Sequence, residues 1–152
     1  MTARITRVHL KYAATQLFDL VADVERFPEF VPWVIAARIV RRKDTTIWTD
    51  MTMGTSLLSK RFTTAALLDR PNRIDISCQD PMFEIFEQRW KFEASSNGGT
   101  NVEYQVDFQF RSGVLQTLIG GSLTERTAAM VTAFKYRAQK LYGPPLSSSR
   151  SA

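Results

Sequence analysis

His9 is the only histidine in this 152-residue chain and Cys78 its only cysteine, which leaves little from which to assemble a catalytic group. A Ser/His/Asp triad would have to be built on His9, yet His9 alternates with Val8 and Leu10 and in a strand would face solvent. A single cysteine excludes an internal disulfide and fits a reducing compartment, with a buried thiol as its expected state. No His/Cys/carboxylate spacing suggests a metal, and no glycine-rich phosphate loop follows a strand; Gly98-Gly99 reads as a hairpin turn. The acids fall mostly on strand faces expected to be wet, so the sequence offers no carboxylate pair for acid/base work. No cofactor is expected.

The apolar residues say more. Met51, Met53, Phe62, Phe86, Trp90, Phe108, Met130 and Phe134 lie at strand or helix spacing and are the large, adaptable side chains that line ligand pockets. The same stripe would also serve as plain core. Gln88 interrupts it between Phe86 and Trp90; a buried amide there needs a partner, whether backbone, water or a polar ligand group.

The longest helical periodicity runs from Val114 to Tyr142. Leu115, Leu118, Ile119, Leu123, Met130, Val131, Phe134, Ala138 and Leu141 recur at steps of three and four, with Thr127 filling one interval. Gln116, Glu125, Arg126, Lys135, Arg137 and Lys140 form the polar face, and Gly143-Pro144-Pro145 is the stop. A helix of roughly 28 residues is about 40 Å long, enough to cross a whole antiparallel sheet. Gly120 and Gly121 inside it forgo roughly 1–2 kcal/mol of helix stability. They mark a hinge, a kink or a close backbone contact, or else the helix begins after them with Ser122 as N-cap and Glu125 completing a capping box.

Everything before that helix reads mainly as strands. Thr6 to Leu10 alternates as a first strand, and Thr15 is placed to cap a short helix through Ala22 or Asp23. Between Pro28 and Pro32, the segment Phe27 to Trp33 must be a second short helix or tight turn, with Phe27, Phe30 and Trp33 on one face. Six more strands follow: Val34 to Arg42, Thr45 to Met53, Leu57 to Leu68, Arg73 to Gln79, Phe86 to Ala94 and Val102 to Phe110. The last two have one apolar and one charged or polar face, the signature of an antiparallel sheet wetted on one side. The fold class is therefore α+β, a curved antiparallel sheet of about seven strands, with two short helices after strand 1, wrapped around a long C-terminal helix.

Length allows one domain, residues 1–143, and the serine-rich stretch 144–152 is expected to be a disordered tail. The formal charge of +5 and pI near 9.7 suit anionic surroundings, a lipid headgroup surface or nucleic acid, or simply a basic soluble surface. No secretory pattern opens the chain, and the longest apolar run, about eight residues, falls short of the roughly 20 a membrane helix needs. A cytoplasmic protein, at most peripheral to a membrane, is expected.

Several motifs together carry a resemblance that spans Arg4 to Tyr142. They are Asp23-Val24-Glu25-Arg26-Phe27-Pro28-Glu29-Phe30-Val31-Pro32-Trp33; Phe83 with Phe86, Glu87, Arg89, Trp90 and Phe92; Val102, Tyr104, Phe108 and Phe110; and Ala133-Phe134 with Arg137-Ala138. With these the chain resembles the coenzyme Q-binding proteins of the START and polyketide-cyclase-like helix-grip superfamily, whose architecture is START/Bet v 1-like. The resemblance implies a lipophilic tunnel that holds ubiquinone and supports respiration without chemical turnover. Two positions depart from the family pattern: Gln88 stands where glycine is more usual, and Pro81-Met82 replaces a Gly-Pro pair. Some bacterial relatives are ribosome-associated toxins that hinder subunit joining, and older labels say cyclase or dehydrase, so a ribosome is a second partner to consider and an aromatase or cyclase a third reading. Direct DNA binding is not expected.

The expected ligand-binding residues are Phe30, Trp33, Phe62, Gln88, Trp90, Phe108, Met130 and Phe134, with Gln88 at the quinone head. Arg41, Arg42 and Lys43 form the densest basic turn and are the candidate contacts to an anionic membrane; an ordinary solvated hairpin turn is the alternative reading.

Overall fold

The computed structural model describes residues 3–55, 57–113 and 123–144. β1 (Ala3–Leu10) leads into α1 (Ala14–Ala22) and a 3-10 helix, Val24–Glu29. β2 (Val34–Lys43), β3 (Thr46–Gly54), β4 (Ser59–Asp69), β5 (Arg73–Cys78), β6 (Phe83–Ala94) and β7 (Thr100–Phe110) follow, and α2 (Leu123–Tyr142) closes the described chain. The strands form one 7-stranded antiparallel sheet in the order β1-β7-β6-β5-β4-β3-β2. Each strand after β2 pairs with its predecessor, and β1 returns beside β7, so β1 and β2 are the two edges.

Alternation fixes which face is which. On the β6–β7 ladder, Phe86 lies opposite Phe108, Gln88 opposite Val106, Trp90 opposite Tyr104 and Phe92 opposite Val102. All of these turn inward, toward the face that α1 and α2 cover. The intervening Glu87, Arg89, Lys91 and Glu93 are exposed on the other face, where ion pairs run from strand to strand. Two aromatic clusters fill the core. In one, Phe83 touches Phe62, Phe86, Phe108 and Phe110 at centroid distances from 4.9 to 5.5 Å. In the other, Phe134 of α2 receives Phe27, Phe30 and Trp90 at 5.3, 5.0 and 5.0 Å.

Several local expectations need correcting. α1 is capped at Ala13, not Thr15: the Ala13 N–H donates to the Gln16 side chain at 3.1 Å, a bond the first turn can make without a hydroxyl. Pro28 lies inside the 3-10 helix, because so short a run forgoes only the one bond its nitrogen would have made. Phe30 and Trp33 both lie beyond the helix that carries Phe27. The helix ends at Glu29, and the chain turns through Phe30 and Val31, whose N–H groups both donate to the Phe27 carbonyl, at 3.1 and 2.8 Å, sending Trp33 elsewhere in the core. On α2, Met130, Phe134 and Ala138 are buried as the spacing predicts, but Leu141 is 48% exposed and Arg137 only 8%. Arg137 is admitted because Glu29 and the Phe30 ring provide for its charge.

The stop after α2 is as read: Gly143 takes a positive φ of 81° and its N–H donates to the Gln139 carbonyl at 3.0 Å. Gly120, Gly121 and Ser122, and the tail beyond Pro144, lie outside the described residues. Among the described residues no helix is long and apolar enough to cross a membrane.

Candidate functional site

Between the β6–β7 ladder and the first turns of α2 the packing is incomplete. Val106, a short side chain opposite Gln88, leaves a partly open cavity of about 40 Å³. β3 contributes Met53, β6 Gln88, β7 Tyr104, Val106 and Phe108, and α2 Arg126, Thr127 and Met130, while Trp33 arrives from the turn before β2. The position of Trp33 is pinned by its carbonyl, which accepts the Gly54 N–H at 2.9 Å.

The lining is mostly apolar, with polar atoms in one part of it. Tyr104 is 3% exposed, its ring 4.3 Å from Trp90, and burial holds its phenol well above the ordinary tyrosine range, so the hydroxyl stays protonated and able to donate. Arg126 lays its guanidinium over the Trp33 ring at 5.0 Å, and its buried Nε has no hydrogen-bond partner among the described residues. Side chains that can donate, Gln88, Tyr104 and Arg126, set in a mostly apolar wall, suit an oxygen that accepts hydrogen bonds. Among the described residues that line it there is no carboxylate and no imidazole.

Of the residues expected from the sequence, Trp33, Gln88, Phe108 and Met130 border this cavity. Phe30, Phe62, Trp90 and Phe134 do not; they pack in the aromatic clusters beside it. Sequence reasoning missed Tyr104 and Arg126. Tyr104 was legible as an inward position of β7. Arg126 precedes Met130 by four residues and so lies on the same helix stripe, a signal that its charge outweighed.

His9 is exposed as expected, with Nε2 3.1 Å from Asn97 Oδ1. Cys78 is a buried thiol pushed up by desolvation. No group of His, Cys, Asp and Glu that could hold a metal occurs among the described residues. Arg41, Arg42 and Lys43 are exposed at the far end of β2, whereas Trp33 and Met53 mark the cavity end of β2 and β3. The length of β2, about 30 Å at the usual rise per residue, separates the basic turn from the cavity. A wider groove of about 360 Å³ on the outer sheet face, over Ala65 and Ser77, is flanked by Asp75, Glu87, Arg89 and Asp107 and is too charged for an apolar molecule.

Known proteins share both the sequence pattern and the fold. Residues 10–135 match the family described as polyketide cyclase / dehydrase and lipid transport. The chain is 31% identical to the ribosome association toxin RatA of Pseudomonas aeruginosa, over 88% of this chain and 93% of that protein. It is 24% identical to the mitochondrial coenzyme Q-binding protein COQ10 homolog B of Xenopus laevis, over 88% of this chain and 57% of that one. A START superfamily protein from Mycobacterium smegmatis superposes with a TM-score of 0.75 at 18% identity, covering 91% of this chain and 98% of the other, which places the fold in the START-like helix-grip class. A sheet wrapped on one long helix, the aromatic clusters and the match over most of the chain agree: this chain belongs to the polyketide cyclase / dehydrase and lipid transport family.

Proposed function

We propose that the protein binds, without chemical turnover, a hydrophobic molecule whose polar head accepts hydrogen bonds, and that ubiquinone or a similar polyprenyl quinone is the ligand. The observation that carries this is a small, mostly apolar cavity between sheet and helix whose lining includes the polar side chains Gln88, Tyr104 and Arg126. Quinone carbonyls accept and do not donate, which matches a site whose Arg126 and Tyr104 groups are donors. Similarity to a protein named for coenzyme Q binding supports the same ligand. A cavity of about 40 Å³ is far below the roughly 300–1,000 Å³ of ligand pockets, so a quinone enters only as the first turns of α2 move outward. Met53 and Met130 are adaptable enough to follow. Phe30, Trp90 and Phe134 would then wall the tail.

Native mass spectrometry of the purified protein, followed by organic extraction, tests this reading, together with titration of a short-tailed ubiquinone read by tryptophan fluorescence. A co-purifying polyprenyl lipid and saturable quenching are expected. An empty extract with no saturable quenching would remove the reading.

Ribosome association is the second reading, supported by relatives of about the same length that carry that name. Cosedimentation with separated ribosomal subunits tests it.

A further inference from the structure

On the strands other than β2 most cations stand beside an acid. Arg7 pairs with Glu103 at 3.0 Å, Arg61 with Asp50 at 2.7 Å, and Arg73 and Arg89 share Asp75 at 2.9 and 2.7 Å. The edge strand β2 is different. Arg38, Arg41, Arg42 and Lys43 are all exposed, and none makes an ion pair among the described residues. Asp50, the acid opposite Arg38, is already taken by Arg61 and by the Thr63 hydroxyl, each at 2.7 Å.

The edge of β2 is also free beyond its middle. The Ile39 N–H is closed off by the Glu25 carboxylate at 2.8 Å, but Val40 to Lys43 are exposed and β2 has β3 as its one neighbour in the sheet. A register shift between Ile39 and Arg41 sets Arg41 opposite Trp48, on the outer face, and Arg42 opposite the buried Ile47, on the inner one. Cations therefore project to both sides of a narrow ridge. The Arg41 guanidinium lies 4.6 Å over the half-buried Trp48 ring, which fixes its plane.

We propose that this ridge, Arg38 to Lys43 with Trp48, is a docking surface for the phosphate backbone of RNA. Guanidinium forks take phosphate oxygens two at a time, and a ring or a guanidinium plane beside them offers a stacking face to an unpaired base. A membrane fits less well: the apex of the β2–β3 hairpin, which a bilayer would meet first, is the acid Asp44 with Thr45, and the ridge is a strand's length from the cavity where a lipid would leave. This rests on the ribosome reading for its setting and gives that reading a surface, while its residues are separate from the ligand cavity.

The test is fluorescence anisotropy of a labelled single-stranded RNA oligonucleotide of mixed sequence, across a salt series, with the full chain. Parent binding should weaken with salt at a slope of about −2 to −3 on a log–log plot, corresponding to three or four phosphates neutralised. Arg41→Gln with Arg42→Gln should reduce that slope by about 1 to 2 and weaken low-salt binding roughly tenfold or more. Lys135→Gln with Lys140→Gln, removing the same charge from exposed positions of α2, should change neither. Equal effects of the two doubles, or salt-independent or absent RNA binding by the parent, would overturn the proposal. So would a double on β2 that loses binding to phosphatidylglycerol vesicles while keeping RNA. RNA binding without cosedimentation would keep the surface and discard the ribosome as its target.

Discussion

Arg137 and Glu29 join the long helix to the 3-10 helix through a 2.7 Å ion pair, with the arginine 8% exposed and its guanidinium 5.1 Å over the Phe30 ring. The same end of α2 is tied twice more: the Tyr142 hydroxyl donates to the Gln16 carbonyl at 3.0 Å, and the Tyr12 hydroxyl to the Gly143 carbonyl at 2.9 Å. The C-terminal half of the helix is thus anchored to the first third of the chain, while its first turns border the cavity.

Arg137→Met keeps the apolar stem and removes the charge, so it should cost about 1–2 kcal/mol, the worth of a desolvated cation–π contact. It should also change the response to acid. Hydrogen bonds from Arg137 first and Arg26 second hold the Glu29 carboxyl below its ordinary range. A carboxyl depressed in the folded state contributes stability above its unfolded pKa and loses it as pH falls through the folded one. Thermal melts from neutral to acid pH should therefore fall less steeply in the variant. Parallel curves would show that the pair contributes nothing to folding.

Gln88→Leu and Phe62→Leu separate ligand contact from core packing. Phe62 lies 5.0 Å from Phe83 and 5.8 Å from Phe86, away from the cavity, so its truncation to leucine should cost about 1–2 kcal/mol of stability. Quinone affinity, measured on the folded fraction, should stay near the parent value. Leucine at Gln88 removes the amide together with its need for a partner, and should leave the empty protein as stable or slightly more so. Loss of one hydrogen bond to the head should weaken binding by up to about tenfold. The opposite pattern would put the ligand in the Phe62 cluster.

How much of this could be read from the chain follows from what periodicity reports. Strand alternation at Phe86 to Ala94 and Val102 to Phe110 fixed the inward face, and the Met130, Phe134, Ala138 stripe fixed the helix that covers it. Type and spacing therefore reached Trp33, Gln88, Phe108 and Met130. They could not reach the difference between a wall and a core residue, because Trp90 and Val106 both face inward, yet Val106 lines the space and Trp90 does not. Charge misled at Arg126 and Arg137, placed on a wet face by residue type, where each instead lays its guanidinium over an aromatic ring. Alternation already put Arg41 to Lys43 at the turn that ends the strand from Val34, and the structure sets Trp33 and Met53 at that strand's other end, beside the cavity.

Gly54→Ala should be costly beyond its backbone angle. Gly54 has φ 138°, and a Cβ there would collide with the Leu58 carbonyl and come within 2.8 Å of the Ser59 Cα. Gly98 has φ 90° with nothing within 4 Å of a Cβ. Alanine at Gly98 should therefore pay only for the left-handed backbone, about 1–2 kcal/mol, and alanine at Gly54 more than that. Because the Gly54 N–H holds the Trp33 carbonyl, the Gly54 variant should also shift tryptophan emission, and the Gly98 variant should not. Equal losses would mean that the loop after β3 yields freely.

Val106→Leu asks whether the cavity is a packing defect or a polar site. Filling a dry void of about 40 Å³ should stabilise the protein by about 1 kcal/mol at the usual cost per unit of cavity volume. The Gln88 amide, the Tyr104 hydroxyl and the Arg126 Nε change the sign of that expectation. In solution these groups need water or a ligand oxygen, and a space this size with several polar neighbours is enough to hold a water molecule. An added methylene that displaces it leaves them unsatisfied, at about 1–3 kcal/mol for each group truly deprived. The larger penalty wins, so Val106→Leu should lower the unfolding temperature and weaken quinone binding together. A variant that is more stable than the parent yet still binds quinone would show that the cavity is dry and that the head group sits elsewhere.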